Sequence, residues 1–126
     1  MPTVRLRTLR RVVRGLAPPL VVSTMAPVGA VIEALASSPQ ATAVVVDVSH
    51  TVRGTVQLRE LVGADADVAI ERVMATHDPV MEPERDVDSA RLELAARGAD
   101  RVLVATSDGD LLGVLTRTDL ERAARR

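Results

Sequence analysis

The chain has 126 residues, 47% hydrophobic and 26% charged, with a formal net charge of -1 and no cysteine, phenylalanine, tyrosine or tryptophan. Without cysteine there is no disulfide framework, no thiolate metal site and no cysteine nucleophile, a composition that suits a reducing, cytoplasmic setting. Without aromatic faces on which bases stack, recognition of RNA or single-stranded DNA is disfavoured, and no apolar run reaches the roughly 18 residues of a membrane span.

In chain order, the first predicted element is a short helix in which Leu9, Val12, Val13 and Leu16 recur at i, i+3, i+4 and i+7. It lies in a segment rich in Arg: residues 1–32 carry Arg5, Arg7, Arg10, Arg11 and Arg14 and no acid. Such a patch reads as a solvated face, with an acidic partner or nucleic acid phosphates as alternatives. A short strand near Val21 is then followed by a helix on Val28, Val31, Ile32 and Leu35 that stops before Pro39. Two strands, Ala43 to Val46 and Val52 to Gln57, flank a turn around Ser49 to Thr51, and a helix is expected near Glu60 to Gly63. A further helical piece, Ile70-Val73-Met74, leads into the second half.

That half repeats the first. Sliding the sequence by 59 positions aligns residues 20–64 with 79–123 without a gap, with identities at Val21/Val80, Val28/Val87, Leu35/Leu94, Ala36/Ala95, Val45/Val104, Gly54/Gly113, Leu61/Leu120 and Ala64/Ala123. They fall on apolar helical positions, strand centres and a strand glycine, where a fold constrains them. In this copy Val80-Met81 is extended, and Asp86 caps a helix bearing Val87, Ala90 and Leu94 that ends at Gly98. Val102 to Ala105 and Leu111 to Thr116 are strands joined at Asp108-Gly109, a tight-turn pair, and Thr118 to Arg125 is the last helix, with Asp119 near its start.

The order strand, helix, Val-rich strand, tight turn, strand with a central glycine, and then Thr116-Arg117-Thr118-Asp119-Leu120 entering a helix resembles the cystathionine beta-synthase (CBS) domain. Two in tandem look like a Bateman module, here one module over 1–126 with repeats at about 9–64 and 68–124. The resemblance implies an α/β (α+β) fold class, two βαββα repeats related by a pseudo-twofold axis and packed through their sheets. It also implies a homodimer that senses rather than catalyses, with an adenine nucleotide (AMP, ADP or ATP) or S-adenosylmethionine in the cleft between repeats and no required cofactor.

By the same resemblance Asp119 holds the ribose hydroxyls, Thr116 touches phosphate or ribose, and Arg117 is a phosphate contact. The segment Thr76-His77-Asp78-Pro79-Val80 runs along the adenine, with Arg101 and with aliphatic walls at Val80, Val102 and Leu112. The chemistry is apt, because a carboxylate accepts from two vicinal hydroxyls and a hydroxyl with a guanidinium suits a phosphate. Taken alone, Thr116 and Asp119 read as a strand end and a helix cap rather than as a ligand site, and Arg101 and Arg117 as solvated charges. In the first copy Gln57 and Glu60 replace Thr116 and Asp119, which leaves one complete signature per chain. His50 and His77 have no second His at ligand spacing, so no metal site is expected, and no catalytic constellation stands out. The alternatives to a nucleotide sensor are a nucleotide-blind dimerisation or docking module, serving an unknown effector, and nucleic acid contact through the Arg-rich start.

Overall fold

The computed structural model describes residues 7–39, 42–76 and 78–125. The fold is mixed α/β: helix α1 (Leu9–Arg14), strand β1 (Leu20–Ser23), α2 (Val28–Ala36), β2 (Thr42–Val46) and β3 (Val52–Gln57), followed by 3-10 turns at Leu58–Leu61 and Ile70–Arg72. The second half gives β4 (Val80–Met81), α3 (Val87–Arg97), β5 (Arg101–Ala105), β6 (Leu111–Thr116) and α4 (Arg117–Ala124).

Two three-stranded sheets form, β1-β2-β3 and β4-β5-β6, each with one parallel and one antiparallel pairing. The repeat extends to irregularities. The antiparallel register slips between Val45 and Val46 in one sheet and between Val104 and Ala105 in the other, 59 residues on. The hairpin turns correspond too, since His50 (φ 62°) and Gly109 (φ 90°) both occupy left-handed backbone. Glycine does so freely and histidine at a cost. Asp47 supports the first turn by accepting from the Ser49 and Thr51 N–H groups at 2.9 and 3.1 Å.

The chain divides into two compact units. The first is Pro19–Asp78; the second joins the described residues up to Pro18 to those from Pro79 onward. Each helical piece therefore packs with the copy it does not precede. Leu9 is fully buried in the second unit among Val87, Leu94, Val104 and Leu115. Hydrogen bonds from Leu9 N–H to the Arg85 carbonyl (2.9 Å) and from Val87 N–H to the Arg7 carbonyl (2.8 Å) fasten it there. Ile70 is fully buried in the first unit with Val31, Val45 and Val56, and its N–H donates to the Ala26 carbonyl at 2.8 Å.

The strand glycines explain how these pieces fit. A Cβ on Gly113 would lie 2.9 Å from Val13 Cγ1 of α1, and one on Gly54 would strike the Ala75 carbonyl oxygen and lie 3.0 Å from Met74 Sδ. Bare backbone at the same strand position lets each helical piece lie close to its sheet.

The helices follow their stripes. Val28, Val31 and Leu35 are buried on α2, and Val87, Ala90 and Leu94 on α3. Asp86 caps α3 by accepting from Ser89 N–H at 3.1 Å, and Gly98 (φ 64°) ends it. The helix expected near Glu60 to Gly63 is only the 3-10 turn Leu58–Leu61, because Val62 is already extended and Gly63 is left-handed (φ 85°). The piece expected at Ile70 is likewise a single 3-10 turn.

Candidate functional site

Thr116 ends β6 in extended backbone, and α4 starts at the next residue. This places Thr116 at the N-cap and Asp119 at the third helical position, so the two close a reciprocal cap. The Thr116 hydroxyl accepts from Asp119 N–H at 3.1 Å, and Asp119 Oδ2 accepts from Thr116 N–H at 2.9 Å. The helix-cap reading of the pair is therefore realised. It does not exhaust the groups: the threonine hydroxyl can still donate, and Asp119 Oδ1 takes no part in the cap. Asp119 is half-buried rather than enclosed.

The same carboxylate lines a groove of about 400 Å³ between α1 and α4, together with Arg7, Arg11 and Arg122. Arg7 Nη1 also donates to the Ala123 carbonyl near the end of α4. The groove has the size of a small-ligand site and the charge of an anion site.

The other expected site residues fare differently. Arg117 turns away from the helix start. Its Nη2 donates to the Ala99 carbonyl at 3.0 Å and to the Leu94 carbonyl at 3.4 Å, at the end of α3. Neither a phosphate contact nor a solvated charge describes this arrangement, in which a cation satisfies helix C-terminal carbonyls. Arg101 is not solvated either: it is 3% exposed and lies opposite Thr116 in the β5–β6 register. Val102 is fully buried in the core of the second unit, so its side chain forms no ligand wall, and Leu112 packs half-buried against that core. Val80, in contrast, is 61% exposed. Thr76 and Asp78 belong to the first unit, where Asp78 Oδ2 accepts from the Thr55 hydroxyl, and His77 lies outside the described residues.

In the first unit the reciprocal cap is repeated: Glu60 Oε1 accepts from Gln57 N–H at 2.8 Å, and the Gln57 side chain accepts from Glu60 N–H. Gln57 is buried, and its Nε2 is 3.4 Å from Thr42 Oγ1. Its side chain thus serves both the cap and β2. Among the described residues there is no group of three His, Asp or Glu side chains able to hold a metal, and no helix is long and apolar enough to cross a membrane.

The CBS domain profile matches residues 70–126. A CBS-domain containing protein from Agrobacterium tumefaciens shares the fold with a TM-score of 0.81 at 17% identity, over 93% of this chain and 92% of that one. The second repeat is a CBS domain, and the chain folds as a CBS pair.

A CBS domain protein from Pyrobaculum aerophilum, solved as a complex with AMP, is similar with a TM-score of 0.80 at 19% identity, over 95% of this chain and all of that one (100%). The cytosolic domain of the Mg2+ channel MgtE, solved in complex with ATP, is similar with a TM-score of 0.70 at 20% identity, over 82% of this CBS pair and 44% of that chain. No curated protein matches the sequence significantly. Arg7 and Arg11 were legible in this CBS pair only as a basic patch, and Arg122 as nothing. Their meeting with Asp119 depends on α1 packing with the second unit, which spacing along the chain does not reveal.

Proposed function

We propose that this CBS pair is a regulatory module that binds an adenine nucleotide or S-adenosylmethionine, with Asp119 holding the ribose. The observation that carries the reading is the half-buried Asp119 carboxylate in a ligand-sized groove, fixed by Thr116 through one oxygen and able to accept vicinal hydroxyls through the other. The fold neighbours solved with AMP and with ATP support it. Val80 offers exposed aliphatic surface to a purine in a protein that has no aromatic side chain. The first repeat, with Gln57 turned onto Thr42, adds no second site of this kind.

The module works as a homodimer in the cytoplasm, a setting that suits its cysteine-free composition, and relays ligand binding to an effector rather than catalysing a reaction. Calorimetric titration with AMP, ADP, ATP and S-adenosylmethionine tests the reading. Saturable binding that Asp119→Ala abolishes is the expected result; no saturation with any of them at millimolar concentration overturns it. Sedimentation with and without ligand checks the dimer. A nucleotide-blind dimerisation module is the second reading, favoured by the first repeat's closed Gln57–Thr42 pair, and it requires a dimer indifferent to both nucleotide and Asp119→Ala.

A further inference from the structure

The groove between α1 and α4 sets three guanidiniums, Arg7, Arg11 and Arg122, against one carboxylate, Asp119. Among the described residues none of the three Arg side chains takes part in an ion pair. The nearby acid Glu84 is bonded to Arg10 at 2.7 Å, outside the groove. Glu121, on another face of α4, lines a separate depression with Asp88 and Arg91. Three like charges held beside a single counter-charge repel one another, and a bound anion relieves the repulsion. Arg11 and Arg122 are exposed, so their guanidiniums retain donors for such an anion, and Arg7 is held in place by the Ala123 carbonyl.

We infer that this groove holds the polyphosphate chain of a nucleotide, so that the module selects a nucleoside di- or triphosphate over the monophosphate and rejects S-adenosylmethionine. The charge balance decides among the ligands. A di- or triphosphate brings additional negative charge and acceptor oxygens to the three guanidiniums, whereas S-adenosylmethionine brings a sulfonium and an ammonium against a single carboxylate and is a net cation. Asp119, at the same groove, then marks where sugar gives way to phosphate. The nucleoside part rests on the proposed function, whereas the anion site rests only on the arginines.

The test is calorimetric titration of the full chain with ATP, ADP, AMP, S-adenosylmethionine and inorganic triphosphate, repeated on Arg11→Gln and Arg122→Gln. Both arginines are exposed, and thermal unfolding confirms that the variants fold. ATP should bind about tenfold or more tighter than AMP, each substitution should cost ATP about tenfold, and inorganic triphosphate should compete with ATP. Equal affinity for ATP and AMP, wild-type ATP affinity in both variants, or failure of inorganic triphosphate to bind overturns the inference. AMP binding that depends on Asp119 but not on the arginines leaves the nucleotide reading standing and removes this one. Arginine-dependent binding of inorganic triphosphate to which no nucleoside adds affinity keeps the anion site and removes the adenine reading.

Discussion

The two units share a plan and differ where β3 and β6 end. After Thr116 the second unit continues into the eight-residue helix α4, whereas after Gln57 the first makes only a 3-10 turn. The cause is local. Leu120 and Ala123 give α4 an apolar stripe for the core beneath it, but the corresponding Leu61 and Ala64 are separated by an extended Val62 and a left-handed Gly63. A full helix keeps Asp119 in a groove beside α1; the shortened turn keeps the Gln57–Glu60 cap, with Gln57 also on Thr42. A repeat can thus preserve its core while shortening its final helix to a turn.

The comparison can be broken most severely at the exchanged pieces. Leu9→Ala should cost about 2–5 kcal/mol and lower amide-exchange protection in β4–β6 rather than in β1–β3; Ile70→Ala should do the reverse. Protection lost equally from both sheets would refute the separate packing of the two pieces. Next come the strand glycines. Gly54→Ala forces a methyl against the Ala75 carbonyl and should cost about 3 kcal/mol or more, whereas Gly113→Ala meets only the Val13 side chain and should cost about 1–2 kcal/mol, both read by thermal unfolding.

Smaller effects sharpen the picture at the caps and turns. Thr116→Val removes the acceptor for Asp119 N–H and should destabilise by about 1 kcal/mol in denaturant unfolding. Arg117→Gln should cost about 0.5–1.5 kcal/mol through the lost Ala99 contact while leaving nucleotide affinity in place. A loss of affinity without a loss of stability would return Arg117 to the ligand. At the hairpins, His50→Gly should stabilise by a few tenths to about 1 kcal/mol, since it releases a left-handed residue but adds entropy to the unfolded chain. Gly109→His in the other hairpin should destabilise by a similar amount.

Much of this was legible along the chain. The 59-residue repeat, both hairpins, the stripes of α2 and α3, the Asp86 cap and the Gly98 stop all follow from short-range rules, because each depends on residues within a turn or two of one another. The Thr116–Asp119 pair was legible for the same reason: the helix cap it spells is formed, with Asp119 Oδ1 taking no part in it. Arg101, Arg117 and Val102 were not legible as they stand, since burial and the choice of partner depend on what packs over a strand.

By itself, then, the sequence determined the strands and main helices, their doubling and the asymmetry between Thr116/Asp119 and Gln57/Glu60, all of them written in local patterns of apolar, capping and turn residues. Only the tertiary structure decided that α1 packs with the second unit and Ile70 with the first, that Arg117 covers the end of α3, and that Arg7, Arg11 and Arg122 line one groove with Asp119. The physical reason is that a short apolar stripe such as Leu9-Val12-Val13 specifies a face to be buried but not which sheet buries it. That choice is made by bare backbone at Gly113 and Gly54 and by hydrogen bonds to residues far along the chain.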